Sequence, residues 1–411
     1  MPSLRETLRG HVRGEYDLHL ILPRYDLFSD ESVPSTICLD EGYEVHVVAC
    51  RWLPAIKKLR AGARRLSGEK SVSYPARWIL NVTTLLCLTI SLCWEALRVR
   101  RGGFTPHLVY AHNQYASFAG FLLRWLWRVP NVTRLYGTFL ADLMKKPFVT
   151  LRYPTAALGY LVPSSLLICA NDGTRGDEVA RKFRIPDQRF RFWQNGVDPP
   201  RQPLEATRNE FVDQFGPKLK TESKWVVSCS RLSGWKRIDR MLRALAVCRG
   251  KKVDCQLLVA GAGPELPRLK KLAEELGITE NVVWLGALAH DDIWALMNVA
   301  DVFMITNDVT NRCNPLYEAT WAGLPVVSVV DPSTADLLKD GSNALLADRN
   351  DTDGLGKRLA EICRNSALAE QFRKAQKDLA KMFWTWEERM NVEVDELEKL
   401  VNAATPKRDK R

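Results

Sequence analysis

Short apolar runs rich in β-branched residues recur along the chain, separated by longer stretches with helical spacing. Candidate strands in the first half are LHLIL (18–22), YEVHVVAC (43–50), HLVYAH (107–112), SLLICAN (165–171) and FRFWQNG (190–196). The second half offers WVVSCS (225–230), DCQLLVAG (254–261), NVVWLG (281–286), ADVFMIT (300–306) and PVVSVV (325–330). The runs are nearly continuous in apolar character, which marks strands of parallel sheets covered on both faces. Alternation of strand and helix over the whole length predicts the α/β class. The pattern breaks between about 198 and 224, a polar stretch holding Pro199, Pro200, Pro203 and Pro217. A boundary there divides the chain into domains 1–200 and 201–381. Two such halves would face each other across a cleft at the carboxyl ends of their strands, where open parallel sheets bind ligands.

Composition narrows the picture. A length of 411 residues suits two domains, and 46% hydrophobic with 26% charged residues is a folded, not a disordered, balance. None of the ten cysteines forms a C-x-x-C pair, so a zinc ribbon or redox motif is not supported. Several sit in apolar runs, which predicts buried reduced thiols and a reducing compartment. The N-terminal MPSLRETLRGHVRGEYD has no apolar signal region, so a cytoplasmic location is expected. The Asn81 and Asn131 sequons then read as chance matches.

Charge is placed unevenly. Residues 51–150 carry 16 basic against 3 acidic side chains, which points to an anionic partner surface. The segment RWLPAIKKLRAGARRLSGEK (51–70) interleaves cations with Trp52, Leu53, Ile56, Leu59 and Leu66, as an amphipathic segment in a headgroup zone would. The alternative is a solvated helix face. Ile79–Trp94 is uncharged and apolar, but 16 residues fall short of the roughly 20 that span a bilayer. It reads as a core helix. A membrane surface reached through residues 51–100 is therefore the expected anionic partner. No RNP-like or helix-turn-helix signature accompanies the charge, and no nucleic acid is expected.

Candidate chemistry concentrates in 226–330. Arg231 and Lys236 stand in a loop between a strand and a helix start, where two cations beside unpaired N–H groups suit a pyrophosphate. Basic loop residues are also commonly just solvated. Gly261 and Gly263 form a strand-to-helix turn, but the spacing fails G-x-G-x-x-G, which disfavours a nicotinamide dinucleotide. Glu318 lies early in a helix after a polar loop, placed to accept ribose hydroxyls or simply favoured there by the helix dipole. Asp348, Asp351 and Asp353 read as helix-start capping.

Taken in order, RLSGWKRID, AGAGPELPRLKKLAEELG, VVWLGAL, ADVFMIT and PLYEATWAGLPVVS resemble the nucleotide-binding half of retaining glycosyltransferases of family 4. Upstream, ANDGTRGDEVARKFRIPDQRFRFWQNGVD (170–198) resembles the segment closing that family's N-terminal domain. FWTWEERM (383–390) resembles its last helix. The resemblance implies a GT-B fold of two Rossmann-like domains, with a helix at 382–405 packing back on the N-terminal one. It implies an enzyme moving a hexose from a nucleotide-diphosphate-sugar donor to an acceptor hydroxyl, with retained anomeric configuration and no cofactor or metal. Arg231, Lys236 and Glu318 would then be catalytic. The donor would be held by these together with Gly261, Gly263, Thr310, Arg312, Cys313, Asn314, Pro315 and Leu316. His112, Asn113, Tyr136 and Gly137 become acceptor or sugar contacts, though Tyr136 could equally pack. The acceptor is expected to be a lipid-linked glycan or polysaccharide precursor, and the enzyme peripheral on the inner membrane face.

The chain departs from the family at three places. Thr310 stands where the family usually has the first of two glutamates seven residues apart. Tyr136-Gly137 replaces a histidine-glycine, and 22–35 lacks the glycine pair expected after the first strand. A nucleotide-sugar epimerase on the same fold, or a non-catalytic glycan- or nucleotide-binding subunit, are the competing readings.

Overall fold

The computed structural model describes residues 2–23, 42–48, 74–198, 207–216 and 218–404, with Ala55 and Lys58. The basic segment 51–70, most of the stretch 22–35 that lacks a glycine pair, and the charged end PKRDKR lie outside the described residues. The chain divides into two compact units, Met1–Asn195 with Trp386–Arg411, and Gly196–Thr385.

The first unit holds a parallel pair, β1 (His19–Pro23) with β2 (Glu44–Val48), and a four-stranded parallel sheet. That sheet runs β3 (Val109–His112), β4 (Asn131–Leu135), β5 (Leu166–Ala170) and β6 (Phe190–Trp193), in that order. Every residue of β4 and β5 is buried. Leu167 and Cys169 pack on one face with Leu135, Tyr160 and Val179, while Leu166 and Ile168 pack on the other with Val132 and Leu397. Leu397 comes from the last helix, Trp386–Ala404, so the chain's C-terminal helix completes the core of the N-terminal unit. The strand NVTRL (131–135) was not visible in the apolar pattern, because Asn131, Thr133 and Arg134 are buried polar residues. Asn131 has no exposed surface, and its side-chain oxygen accepts from the Ser165 amide at 3.1 Å, so its sequon is inaccessible in the folded chain.

The helix Tyr74–Arg101 is 28 residues long, far beyond the 16 expected from its uncharged centre. It is about 42 Å long. Thr84, Leu85, Leu88, Thr89 and Ala96 are buried, and Leu85 and Leu88 pack with Tyr115. The opposite face exposes Ile79, Leu86, Ile90 and Trp94. It is thus a core helix on one side only. By length and composition it is long and apolar enough to cross a membrane.

Buried charge ties the last helix to the rest of the first unit. Glu393 is fully buried. Its Oε1 accepts from the Tyr110 hydroxyl at 2.6 Å and lies 3.3 Å from His11 Nε2. Its Oε2 accepts from Arg134 and Arg389, each at 2.8 Å. Burial alone would raise the Glu393 pKa, but Arg134, His11 and Arg389 outweigh it and hold the carboxyl well below its usual range.

The second unit is one six-stranded parallel sheet in the order β12-β11-β10-β7-β8-β9. The strands are β7 (Lys224–Cys229), β8 (Cys255–Ala260), β9 (Val282–Gly286), β10 (Val302–Ile305), β11 (Val326–Val329) and β12 (Ala344–Ala347). Read from β9, this is the doubly wound order 3-2-1-4-5-6. β12 was not among the expected strands: its sequence ALLA (344–347) holds no β-branched or aromatic residue. Asp351 caps the helix Thr352–Arg364, its side chain accepting from the Gly354 amide at 2.7 Å. Among the described residues no two cysteines are joined; Cys248 and Cys255 approach to 3.6 Å.

Replacing Glu393 by Gln should cost about 3–5 kcal/mol at neutral pH, because two arginines then lie buried without their anion. The folded-state pKa is depressed, so the stabilisation is present above the ordinary value of 4.5 and lost as pH falls through the lower folded value. Urea unfolding of both proteins should show the gap shrinking once pH drops below that ordinary value. A gap that stays constant into acid would contradict the ion network.

Candidate functional site

In the second unit the strand order reverses between β7 and β10, and open α/β sheets bind ligands where such a reversal parts the loops. The two loops there are 230–237, after β7, and 306–313, after β10. The Asp308 amide donates to the Trp235 carbonyl at 2.8 Å, and the Thr306 hydroxyl to the Arg237 carbonyl at 3.0 Å. Asp308 pairs with Arg237 at 3.2 Å and with Arg240 at 2.7 Å. The ion pairs bind the loops to each other and hold Arg237 in a left-handed conformation (φ 51°) just ahead of the helix Ile238–Gly250. Sequence reasoning missed Arg237, Arg240 and Asp308, since their pairing depends on the strand order.

The loop after β7 also lies against the turn after β8. Leu232 donates to the Ala262 carbonyl at 2.9 Å, and Glu265 donates back to the Leu232 carbonyl at 3.2 Å. A Cβ on Gly261 would run into the Ser230 carbonyl, and one on Gly263 into the Leu232 carbonyl. Gly261 also has φ +141°. These glycines let two loops touch.

Arg231 is exposed and Lys236 half-buried, its Nζ 4.1 Å from the centre of the Trp235 ring. Burial pulls the Lys236 pKa below its ordinary value, with Cys313 acting weakly in the other direction. Burial pushes the Cys313 thiol up; the Lys236 ammonium opposes this and the Glu318 carboxylate adds to it. Cys313 thus sits within electrostatic reach of both charges. It precedes the helix Asn314–Trp321, with Pro315 in the first turn and Leu316 buried. Glu318 is only 6% exposed, and His290 Nε2 lies 3.1 Å from its Oε1. His290 opens the helix His290–Val299 and was not singled out from sequence.

Between these groups the loop after β10 is built on its own side chains. The Thr310 hydroxyl accepts from the Arg312 amide at 3.0 Å and lies 2.9 Å from the Ser333 hydroxyl. Asp331 accepts from the Asn311 amide at 2.7 Å and from its side chain at 2.9 Å. Arg312, 4% exposed, donates to the Ser333 carbonyl at 2.9 Å and pairs with Asp336.

In the first unit, His112, Asn113, Tyr136 and Gly137 meet at the carboxyl ends of β3 and β4. His112 Nδ1 lies 2.8 Å from the Tyr136 hydroxyl. Burial, with Arg134 and His11 adding to it, lowers the His112 pKa to about 3, so the imidazole is neutral. Burial pushes Tyr136 up to about 12 against the opposing pull of Arg134. Asn113 caps the helix Gln114–Trp127 at φ 73°, ψ 159°, a conformation costing a non-glycine residue about 1–3 kcal/mol. Gly137 (φ +105°) sits where a Cβ would strike the Asp172 carboxylate.

Strand order and the loops at the reversal define the second unit as a doubly wound, Rossmann-like unit. Residues 210–379 match the model of glycosyl transferases group 1, and residues 38–201 that of glycosyltransferase family 4. The chain belongs to glycosyltransferase family 4, with the GT-B fold of two Rossmann-like domains. A curated relative is the GDP-mannose-dependent alpha-(1-6)-phosphatidylinositol monomannoside mannosyltransferase of Mycobacterium tuberculosis, 28% identical over 200 residues, or 47% of this chain and 51% of the relative. The chain spans about half the length of the first such relatives it matches. Among solved structures, Anabaena Alr3699/HepE in complex with UDP and glucose superposes with a TM-score of 0.65 at 19% identity, over 96% of this chain and 94% of that one. Sucrose-phosphate synthase from Thermosynechococcus elongatus gives 0.70 at 14% identity, over 98% and 93%.

Gly263→Ala should lower the unfolding free energy of the second unit by about 1–3 kcal/mol, since the Leu232 backbone has to move. Gly234→Ala, where an added Cβ meets nothing within 4 Å, should melt as the wild type does. Equal melting curves for both variants would show that the loop contact is not tight.

Proposed function

We propose that the protein is a glycosyltransferase that moves a sugar from a nucleotide-diphosphate-sugar to an acceptor hydroxyl, with retained anomeric configuration. The observation that carries this is the pairing of the loops 230–237 and 306–313 where the sheet of the second unit reverses, with Lys236 on the first and Cys313 ending the second just ahead of the helix that bears Glu318. Breaking the sugar–phosphate bond leaves a nucleoside diphosphate, so negative charge grows on phosphate oxygens. Arg231, Lys236 and the amides at the helix starts Ile238 and Asn314 supply fixed positive charge for it, and no metal is needed at the donor. Glu318, held near His290, accepts the ribose hydroxyls. The donor sugar faces the backbone at Arg312–Asn314. His112 and Tyr136 serve the acceptor as neutral hydrogen-bonding groups.

For the acceptor, the reading is a lipid-linked glycan or polysaccharide precursor, with the enzyme peripheral on the cytoplasmic face of a membrane. Ile79, Leu86, Ile90 and Trp94 form one stripe, and Leu122, Trp125 and Leu126 on the helix Gln114–Trp127 are also exposed. Arg98, Arg100, Arg101 and Arg128 are exposed on the same two helices or at their ends. Exposed apolar side chains rimmed by cations match an anionic bilayer surface. The mannosyltransferase relative, named for a phosphatidylinositol monomannoside, is consistent with such an acceptor.

Arg231→Ala, Lys236→Ala and Glu318→Ala should each lower transfer by about 10²–10³-fold with the fold intact, as loss of a transition-state charge contact does. Nucleoside diphosphate release from a donor panel measures this, and unchanged turnover in all three variants would remove the assignment. Donor incubated without acceptor should return unchanged apart from slow hydrolysis. A changed sugar would reveal an epimerase, and no donor binding by calorimetry a non-catalytic subunit.

The protein should co-sediment with vesicles containing anionic lipid at low salt and less so at high salt. The double variant Trp94→Gln/Trp125→Gln should bind several-fold more weakly. Absence of wild-type binding at low salt would favour a soluble acceptor.

A further inference from the structure

A second cluster of chemistry-bearing side chains lies in the first unit, on strands other than those that carry His112 and Tyr136. In the register of β1 and β2, His19 pairs with Glu44 and Ile21 with His46. Residues two apart on a strand share a face, so Glu44 and His46 point to the side on which His19 stands. The result is a triangle of donor atoms. His19 Nδ1 lies 2.9 Å from His46 Nε2 and 3.5 Å from Glu44 Oε2, and Glu44 Oε2 lies 3.8 Å from His46 Nε2. Four ligands at about 2.0–2.2 Å around a tetrahedral ion stand about 3.3 Å from one another, so all three edges are close to those of a coordination face. A hydrogen bond between the two imidazoles would explain the shortest edge alone. It would not explain the carboxylate oxygen near both nitrogens.

The surroundings suit an ion. The Phe104 ring lies 3.9 Å, centre to centre, from the His19 ring and helps leave the His19 side chain 13% exposed. On the open side is a cavity of about 670 Å³ lined also by Asp17, Glu95 and Arg98. It leaves the fourth coordination position to water or a small anion. Asp17 Oδ1, 3.9 Å from His19 Nε2, stands within one bridging water of the outward ring nitrogen, as carboxylates that orient metal-bound histidines do. Arg98 in turn lies 3.9 Å from Glu95.

We propose that His19, His46 and Glu44 bind one divalent transition-metal ion of the zinc class. Two imidazoles and a carboxylate are a donor set zinc accepts, and they are too few and too nitrogen-rich for calcium or magnesium. His19 and Glu44 open their strands, so the ion lies at the amino ends of β1 and β2, while the candidate sugar and acceptor contacts lie at the carboxyl ends of β3 and β4. Its role is to clamp two strands that, among the described residues, pair only with each other, an arrangement marginal by itself. The proposal does not rest on the transferase reading, and either can fail alone.

The test is calorimetry of the full chain, stripped with chelator and titrated with zinc chloride, alongside the visible spectrum of the cobalt-loaded protein. One zinc per chain and the intense bands of four-coordinate cobalt are expected. His19→Ala and His46→Ala should each weaken zinc binding by more than about 100-fold, beyond what loss of an outer partner does. Glu44→Gln, at an exposed side chain whose loss does not threaten the fold, should weaken it by about 10-fold. His107→Ala, at an exposed histidine elsewhere, should change nothing. Zinc should raise the melting temperature of the wild type and leave that of His19→Ala unmoved. Absence of stoichiometric binding, or binding that survives in both histidine variants and in Glu44→Gln, overturns the site.

Discussion

The first unit depends on one buried carboxylate. Glu393 joins three side chains distant in sequence, His11 from the helix Pro2–Arg13, Tyr110 from β3 and Arg134 from β4, to Arg389 one turn away on its own helix. Burying charge is costly unless it is paired; here both carboxylate oxygens are engaged, while Arg134 Nε and Arg389 Nη1 remain without a partner among the described residues. Apolar contacts such as Leu397 against Val132 and Ile168 supply attraction without register. The ion network supplies register. Arg389 adds a bond to the Gln194 carbonyl at 3.2 Å and stacks 4.3 Å over Trp193, fixing the helix against the end of β6.

The same carboxylate reaches the end of the sheet where His112 and Tyr136 lie. Arg134 is held in place by Glu393, and its guanidinium lies 5.5 Å from the Tyr136 ring. Burial and that cation together keep His112 neutral. A neutral imidazole beside a neutral phenol can hydrogen-bond hydroxyls but contributes no charge to a reaction. The C-terminal helix therefore shapes the electrostatics of a sheet end it does not itself supply.

Strands and motifs were legible where burial was apolar and local. The continuous apolar strands of the second unit stood out, and so did the glycine turn and the capping aspartate Asp351. What was lost is polar or long-range. β4 was hidden by its own buried Asn131, Thr133 and Arg134. The helix Tyr74–Arg101 was underestimated because charged and polar residues flank an apolar centre, and its two faces part only once the helix Gln114–Trp127 is packed against it. Glu393, Asp308 and the pair His19–His46 carry no local signature. His19 and His46 are 27 residues apart and meet only through strand register.

Thr310 shows how a departure from a family pattern can be accommodated structurally. Its hydroxyl is engaged with Ser333 and the Arg312 amide, so it does not act as a substitute acid aimed outward. The loop keeps its shape because Asp331, from the following loop, anchors Asn311 twice, and because Arg312 turns inward to Ser333 and Asp336. With Thr310, Asn311 and Arg312 bonded inward, the start of the helix Asn314–Trp321 presents the side chains of Cys313 and Asn314 and the backbone amides ahead of Pro315. Such amides present positive partial charge and suit oxygen-rich groups. On the proposed reading, donor-sugar recognition therefore passes from a carboxylate to backbone donors, and Glu318 remains the acid of this helix. A site of that kind selects its sugar by the shape of the loop, which makes Asp331 and Ser333 the residues on which donor choice would turn.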